Sequence, residues 1–332
     1  FFLLSGLQGN ESEIKYEEEF ISNSRGMKLL ASRWIPQNES PKALVFMCHG
    51  YALECSITMD RHAGTARRLA KAGYAVYGVD YEGHGKSDGL QGFIKNFEDV
   101  INDCSYYFTT ISEKKVNNKK LRFLLGESMG GAVALLLHKK KPDYWDGAIL
   151  AAPMCKISDD LIPNAMMVNI LTGLSKVAPK WKIVPSEDMI EIGYKMPEVR
   201  EQIRDNPYYY KGKPRLKTAH ELLRTCTEIQ QRLHEVTIPF LIVHGEEDRV
   251  TDTSVSKELY NVASSSDKTL KTYPGMWHGI LYGEPPENLN IVFSDIINWL
   301  EDKTQYRNQR MEREQKEQNE ALVKGKRGLV IL

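Results

Sequence analysis

At 332 residues, 42% of them hydrophobic, the chain is long enough for one large core or a core with a small accessory domain, and it is too apolar to be disordered. Its 44 basic residues balance 44 acidic residues, so no overall positive field would gather phosphates, and we expect no nucleic-acid partner. The five cysteines form no CxxC pair, which favours reduced thiols and a cytoplasmic protein, and no apolar run approaches the roughly 18 residues of a membrane-spanning helix.

The predicted elements begin with two strands, residues 14–21 and 27–35, which the turn-like residues between them connect as a hairpin. After the hairpin, apolar segments rich in β-branched residues alternate with helical patterns. Further strands are predicted at residues 43–48, 74–79, 121–125, 148–152, 239–244 and 268–273. Helices are predicted at residues 60–72, 96–114, 130–140, 252–263 and 287–302. This alternation predicts an α/β fold with a mostly parallel sheet covered by helices on both faces.

The alternation is interrupted between Pro153 and Pro239, where helical patterns continue without a convincing strand. We interpret this stretch as an inserted helical cap. The predicted organisation is a first core segment over residues 1–153, a cap over 154–236 and a second core segment over 237–303. The sequence after residue 303 becomes almost wholly polar, over residues 304–318. We therefore predict that residues 304–332 form a frayed helix or a disordered tail.

Residues 126–130 read GESMG and match the GxSxG pattern, in which a strained turn from strand to helix lifts a serine hydroxyl clear of the sheet. The pattern alone is weak, since residues 85–89, GKSDG, match it as well. Ser128 directly follows an apolar predicted strand and precedes a helical run, whereas Ser87 lies in a glycine-rich loop. We therefore predict Ser128 as a nucleophile and Ser87 as a loop residue.

A serine hydroxyl needs a base to take its proton and an acid to orient that base. Asp248 follows a predicted strand, and His278 follows the last predicted strand, so the two come after Ser128 in the order acid, then histidine. Taken singly, Asp248 would be read as a turn or N-cap residue and His278 as a loop residue; together they predict a catalytic triad. Three neighbouring carboxylates remain open as substitutes for the acid: Glu246, Glu247 and Asp252.

The other histidines show no metal-binding spacing such as HExxH, so we expect no metal ion and interpret them as structural or surface residues. They are His49, His62, His84, His138, His220, His234 and His244. One further pattern, His138 with Asp143 five residues on, resembles an acyltransferase signature, but it lies at the far end of the helix that follows Ser128.

An oxyanion formed during hydrolysis needs two hydrogen-bond donors. In this arrangement one is the backbone N–H after the nucleophile, here that of Met129. The second should come from the loop after an early strand, where the Tyr51 N–H follows His49-Gly50. The alternative interpretation makes Gly50 an ordinary turn glycine.

These features together resemble the monoglyceride lipase family, and they are closest to its plant branch, which also includes lysophospholipases and caffeoyl shikimate esterases. The residues that carry the resemblance are His49-Gly50, the loop 80–89, the segment 126–131, Asp248 and His278. The resemblance extends over about residues 15–303. It implies an α/β-hydrolase fold and release of a fatty acid from monoacylglycerol or a related lysolipid, without a cofactor.

The resemblance also bears on substrate contacts. Glu54 lies where relatives place a polar contact to the glycerol head of the substrate. Tyr51 stands where some relatives have a small residue, which implies a narrower acyl or alcohol pocket at that point.

One predicted helix of the cap, residues 161–177, is apolar on nearly all sides. Such a helix fits a lid that touches a membrane or an acyl chain, and it fits an ordinary cap helix packed between others equally well. The flanking residues Lys176, Lys180, Trp181 and Lys182 suit peripheral contact with anionic lipid head groups, although such charges also serve as a solvated face.

Two rival functions remain open. One is an esterase that acts on a soluble phenolic or other specialised ester, and the other is a binding protein that retains the fold with little turnover. Acyl chain length, positional preference and oligomeric state cannot be inferred from the sequence.

Overall fold

The computed structural model describes residues 14–55 and 64–306, and eight strands in that part of the chain form one sheet. The strands are β1 (Ile14–Ser22), β2 (Lys28–Pro36), β3 (Leu44–Cys48), β4 (Ala75–Val79), β5 (Arg122–Glu127), β6 (Gly147–Ala151), β7 (Phe240–Gly245) and β8 (Lys268–Tyr273). Their order across the sheet is β1-β2-β4-β3-β5-β6-β7-β8. The pairs β1–β2 and β2–β4 are antiparallel and all others are parallel.

The helices connect these strands. They are α1 (Thr65–Lys71), α2 (Phe97–Ser112), α3 (Met129–Lys140), α4 (Ala165–Val177), α5 (Met189–Gly193), α6 (Pro197–Asp205), α7 (Leu216–Gln231), α8 (Thr253–Val262) and α9 (residues 286–306). Four of them, α4 to α7, lie in the long connection between β6 and β7.

The central strands are hydrophobic throughout because helices cover both faces of the sheet. Every residue of β4, β6 and β7 is buried. Side chains of α2, α3, α7 and α8 contribute to the core on one face, and those of α1 and α9 contribute to the core on the other. The α/β fold predicted from the alternating pattern is confirmed, with each predicted strand within two residues of its observed bounds.

Two predicted helices differ from the observed ones. The helix predicted over residues 161–177 begins at Ala165 because Pro163 cannot continue a helix and the Asn164 side chain accepts a hydrogen bond from the Met167 N–H at 3.0 Å, which caps the first turn. The helix predicted over 60–72 is observed from Thr65, and its first four residues lie outside the described residues. The domain bounds at 153/154, 236/237 and 303/304 stay a prediction; α9 continues to 306, and the rest of the tail lies outside the described residues.

The register of the parallel strands brings several loops to one edge of the sheet. Cys48 at the end of β3 pairs with Gly126 of β5, and Glu127 pairs with Ala151 at the end of β6. Gly245 at the end of β7 pairs with Tyr273 at the end of β8. The carboxyl ends of these strands therefore present their loops to a common crevice, where open α/β sheets bind ligands.

Among the described residues, no helix has both the length and the apolar character that crossing a bilayer requires.

Candidate active site

Ser128 occupies a strained turn between β5 and α3. Its backbone has φ of 53° and ψ of −118°, a conformation that L residues other than glycine rarely adopt. The turn is fixed by backbone hydrogen bonds, from the Ser128 N–H to the Ala151 carbonyl at 2.9 Å and from the Met154 N–H to the Ser128 carbonyl at 2.8 Å. Strain held in this way at the carboxyl edge of a sheet is the geometry of a nucleophile elbow.

The glycines on either side of Ser128 are required by close packing. A side chain at Gly126 would overlap the backbone of Gly130, and one at Gly130 would overlap the carbonyl oxygen of Cys48. Helix α3 therefore begins in direct contact with the end of β3, which only a residue without a Cβ allows.

His278 and Asp248 form a hydrogen-bonded pair at the same edge of the sheet. The His278 Nδ1 lies 2.7 Å from the Asp248 Oδ2, so the ring donates its Nδ1 proton to the carboxylate. The loop that carries His278 passes over Gly245, where a Cβ would overlap the carbonyl oxygens of Met276 and Trp277. The Trp277 N–H also donates to the buried Glu284 at 2.7 Å, which anchors this loop.

Asp248 accepts hydrogen bonds on both carboxylate oxygens. Oδ1 accepts from the N–H groups of Val250 and Thr251 at 2.7 and 3.0 Å. Oδ2 accepts from His278, from the Thr251 hydroxyl at 2.8 Å and from His244 Nε2 at 3.0 Å. Burial by itself would raise the pKa of Asp248, but the His278 charge and the hydrogen bonds from His244 and His278 hold it well below its usual range.

The alternative acids point elsewhere. Glu246 accepts a hydrogen bond from the Thr272 hydroxyl at the surface at 2.7 Å. Asp252 caps α8 through the Ser254 N–H and pairs with Lys156 at 3.0 Å. Of the carboxylates considered from the sequence, Asp248 is the one that the geometry brings to His278.

His278 is buried beside the turn that holds Ser128. Burial by itself would lower the pKa of His278, but the charge and hydrogen bond of Asp248, with a smaller effect of Glu127, raise it above its ordinary value of 6.5. The Thr251 hydroxyl lies 3.4 Å from the His278 Nδ1 and 3.2 Å from the Ala152 carbonyl. Because the preceding carbonyl, that of Ala151, accepts from the Ser128 N–H, His278 lies near the elbow. The Nε2 of His278 makes no hydrogen bond within residues 14–55 and 64–306 and is free to take a proton from a serine hydroxyl.

The predicted oxyanion donors lie on the two sides of Ser128. Gly50 approaches the elbow so closely that a Cβ there would lie 3.5 Å from the Ser128 Cβ. In the described part of the chain, neither the Tyr51 N–H nor the Met129 N–H donates to another residue. Both donors therefore remain available for a charged oxygen, and their role stays a prediction.

The loop that carries Tyr51 is held by a neutral histidine. The His49 Nδ1–H donates to the Gly50 carbonyl at 2.8 Å, and the Nε2 accepts from the Tyr81 N–H at 3.1 Å. Burial, together with nearby His84, lowers the pKa of His49 well below its usual range. His49 thus stays uncharged and acts on the shape of the loop.

A group of buried residues behind this loop offers donor atoms of the kind that bind metals. Nitrogen, sulfur and oxygen atoms of His49, Cys55 and Asp80 lie within 4.8 Å of one another. Each is already engaged: both His49 nitrogens as described, the Asp80 oxygens by the N–H groups of Cys55 and Lys86, and the Cys55 thiol by the Met47 carbonyl at 3.8 Å. We therefore assign these residues to the packing of the loop.

Glu54 is buried in the same region, against the cap. Its carboxylate accepts a hydrogen bond from the Asn206 Nδ2 at 3.3 Å, and its charge contributes, after burial, to raising the pKa of Asp80 to about 7. Glu54 and Glu127 both line a small cavity of about 50 Å³, which has room for a few water molecules. Contact of Glu54 with substrate remains a prediction.

Ser87 and His138 have structural surroundings. The Ser87 hydroxyl donates to the Asp80 carbonyl at 2.6 Å and accepts from the Leu30 N–H at 2.9 Å, so it ties its loop to β2. The His138 Nε2 accepts from the Thr237 N–H at 3.2 Å. His138 lies ten residues along α3 from Ser128, about 15 Å away, which is too far for a shared site.

Two buried residues near the His278–Asp248 pair were not predicted from the sequence to belong to the site. His244, interpreted there as structural or surface, is fully buried and contacts the Asp248 carboxylate. Glu127 is buried beside His278 and Tyr282; burial raises its pKa to about 7, partly offset by the His278 charge. A histidine at the buried end of a central strand, four residues before the acid, was the one sequence signal for His244.

Comparison with known proteins identifies the family to which the chain belongs. The chain belongs to the hydrolase family described as serine aminopeptidase, S33, whose model matches residues 39–286. The α/β-hydrolase fold predicted by the resemblance is confirmed, and so is the relationship to monoglyceride lipases and caffeoyl shikimate esterases. The chain is a carboxylic ester hydrolase.

Among the similar proteins, the caffeoylshikimate esterase of Arabidopsis thaliana is 35% identical over 295 residues, covering 87% of this chain and 88% of the relative. The monoglyceride lipase of Homo sapiens is 29% identical over 286 residues, covering 86% and 90%. A crystal structure of a soluble variant of monoglyceride lipase from Saccharomyces cerevisiae, in complex with a substrate analog, matches with a TM-score of 0.75 at 22% identity over 87% of this chain and 95% of that chain.

Proposed function

We propose that the enzyme releases a fatty acid from monoacylglycerol through an acyl-enzyme on Ser128. The observation that carries the proposal is the His278–Asp248 pair beside the strained turn at Ser128. The monoglyceride lipases among its relatives, at 28–29% identity over most of the chain, support the substrate class.

The first half of the reaction forms the acyl-enzyme. His278 Nε2 takes the Ser128 proton while Oγ forms a bond to the ester carbonyl carbon, and the carbonyl oxygen becomes an oxyanion that the Tyr51 and Met129 N–H groups bind. Asp248 stabilises the imidazolium that results. The carbon–oxygen bond to glycerol then breaks as His278 returns the proton to the glycerol oxygen.

The second half regenerates the enzyme. His278 takes a proton from water, whose oxygen attacks the acyl carbon, and the bond to the Ser128 Oγ breaks as the proton passes to Ser128. The products are glycerol and a fatty acid, and the cycle needs no cofactor.

A peripheral membrane contact through the cap would bring the enzyme to its lipid substrate. Helix α4 buries only Ser175, and large apolar side chains on it are exposed, with Met166 at 72%, Ile170 at 50% and Val177 at 79%. Trp181 is 58% exposed and lies between Lys180 and Lys182. An apolar face with flanking lysines is the composition of an interfacial helix. Buried, unpaired cysteines fit a cytoplasmic enzyme that binds membranes reversibly.

A second candidate function is hydrolysis of a phenolic ester. It is favoured by the relative of highest identity reported above, a caffeoylshikimate esterase at 35%. Both reactions would use the same residues, so the difference lies in the acyl and alcohol groups that the pocket accepts.

The experiment is a comparison of kcat/KM for 2-monoacylglycerol, a lysophosphatidylcholine and caffeoyl shikimate with the purified full-length chain. We expect monoacylglycerol to have the highest kcat/KM and the Ser128→Ala variant to lose turnover of all three. A kcat/KM for the caffeoyl ester more than about tenfold above that for monoacylglycerol would contradict the proposed lipase activity and support hydrolysis of a phenolic ester instead.

A further inference from the structure

The Asp248 carboxylate lies between two imidazole rings. On one side the His278 Nδ1 is 2.7 Å from Oδ2, and on the other the His244 Nε2 is 3.0 Å from the same oxygen. His244 is the penultimate residue of the buried strand β7 and is itself fully buried. The proposed reaction uses His278 and gives no part to His244.

The surroundings of His244 define which of its nitrogens carries the proton. Its Nδ1 lies 2.8 Å from the hydroxyl of Ser256, a fully buried residue of α8. Because Asp248 can only accept, the Nε2 must carry a proton, and a ring that carries one proton accepts from the Ser256 hydroxyl at its Nδ1. A chain of hydrogen bonds thus runs from α8 through His244 and Asp248 to His278.

We propose that His244 is a positioning residue for ester hydrolysis, which holds the Asp248 carboxylate toward His278 and limits how strongly that carboxylate stabilises the protonated ring. The inference rests on the proposed role of Ser128, Asp248 and His278. It deepens that role by adding the group behind the acid.

Two physical effects follow from the shared oxygen. The first is placement, because the Oδ2 that receives the His278 proton is held by His244 and by Thr251 at 2.8 Å. The second is electrostatic, because each donor on Oδ2 withdraws charge from the oxygen that faces His278. Loss of one donor would leave more negative charge beside the His278 ring and so favour its protonated form.

The groups that face the two histidines come from three elements: the loop after β7, the end of β5 and helix α8. Two charged groups act on His278: Asp248, which lies in the loop after β7, and Glu127, which lies at the end of β5. His244 faces Asp248, Ser256 of α8 and the Thr251 hydroxyl, which lies 3.4 Å from its Nε2. Replacing His244 removes one donor from the Asp248 carboxylate and leaves Ser128 and His278 unchanged.

The test compares His244→Phe with His244→Gln. Phenylalanine keeps a planar ring and loses the donor, whereas the glutamine amide nitrogen stands three bonds from Cβ, as Nε2 does, and can donate to Oδ2. We expect His244→Phe to move the acidic limb of the kcat/KM profile to higher pH by about one unit, the size of a hydrogen bond to a charged group. We expect kcat to fall roughly tenfold or more as Asp248 shifts. In His244→Gln, the acidic limb of the kcat/KM profile should stay at the same pH as in the unmodified chain.

The outcomes are distinguishable from failure of the proposed function. An unmodified chain without Ser128-dependent esterase activity contradicts the proposed function. If that activity is present but His244→Phe keeps the acidic limb, or His244→Gln moves it as far as His244→Phe does, the inference about His244 is overturned.

A second measurement uses the unmodified chain and so does not depend on the folding of a variant. In ¹⁵N-histidine spectra, with His244→Gln used to assign the signal, we expect a proton on the Nε2 of His244. A proton on Nδ1 alone would overturn the proposal.

Discussion

The Nδ1 of His278 and the Oδ2 of Asp248 lie 2.7 Å apart, and the two residues follow neighbouring parallel strands, β8 and β7. Their pairing depends on the sheet, since thirty residues separate them along the chain. The same sheet edge holds Ser128 at the end of β5. The chemistry proposed for the enzyme is thus a consequence of strand order, and the following predictions test its parts.

Replacing Asp248 by asparagine should lower kcat for a p-nitrophenyl ester by about 10⁴-fold, because the amide can donate to Nδ1 and thereby favour the wrong tautomer of the histidine. Glu246→Gln is the matched control, since Glu246 contacts Thr272 at the surface and should keep its activity. A loss of less than tenfold for Asp248→Asn would contradict the role of Asp248 as the acid of the triad, and Glu247 or Asp252 would then have to be tested in that role.

Activity should fall as the pH drops through the pKa of His278. The ring accepts the serine proton only when it is neutral, and Asp248 stabilises its charged form, which raises its pKa above 6.5. The acidic limb of kcat/KM should therefore lie above pH 6.5. A profile of kcat/KM from about pH 5 to 9 measures it, and a limb well below 6.5 would mean that Asp248 does not act on the ring as the geometry implies.

Gly130→Ala should prevent the elbow from forming, because the added Cβ would overlap the Cys48 carbonyl. We expect it to lower the free energy of unfolding by about 3 kcal/mol. Gly173→Ala is the control: it lies in α4 with nothing within 4 Å of the added Cβ, and it should raise stability by up to about 1 kcal/mol. Denaturant unfolding measures the stability of both variants. The prediction is wrong if the Gly130→Ala variant is as stable as the unmodified chain.

Ile170→Glu should weaken binding to vesicles that contain phosphatidylcholine and phosphatidylserine, because it places a charge in the exposed apolar face of α4. Ile291→Glu provides a control of equal exposure, since Ile291 is 52% exposed on α9 and Ile170 is 50% exposed. Co-sedimentation with vesicles measures the bound fraction. Equal loss in both variants, or no binding by the unmodified chain, would contradict membrane contact through the cap.

The sequence predicted most of the sheet because the central strands are buried on both faces and read as continuous apolar runs. β6, for example, is buried at every position and was predicted to within one residue. The order of the strands did not follow from the pattern: β3 lies between β4 and β5, and no local signal distinguishes that order from a sequential one.

The three residues proposed as the triad could be named from the sequence because the elbow has a local pattern and the acid and histidine are expected after it in a fixed order. His244 could not, since its contact with Asp248 depends on the loop after β7 turning back on the strand within four residues. Glu127 was seen only as the variable position of GxSxG, although its burial raises its pKa to about 7, an effect that the His278 charge and the Tyr282 hydroxyl partly offset. Contacts between side chains from different loops at this edge of the sheet depend on the tertiary structure, and the sequence pattern does not predict them.

The most direct test of the account is covalent labelling of the full-length chain by a fluorophosphonate, followed by peptide mass spectrometry. We predict that the probe attaches to Ser128, that Ser128→Ala abolishes labelling, and that Ser87→Ala retains it even though Ser87 loses its hydrogen bonds to Asp80 and Leu30. Labelling that persists in Ser128→Ala, or that maps to another serine, would contradict the assignment of the nucleophile.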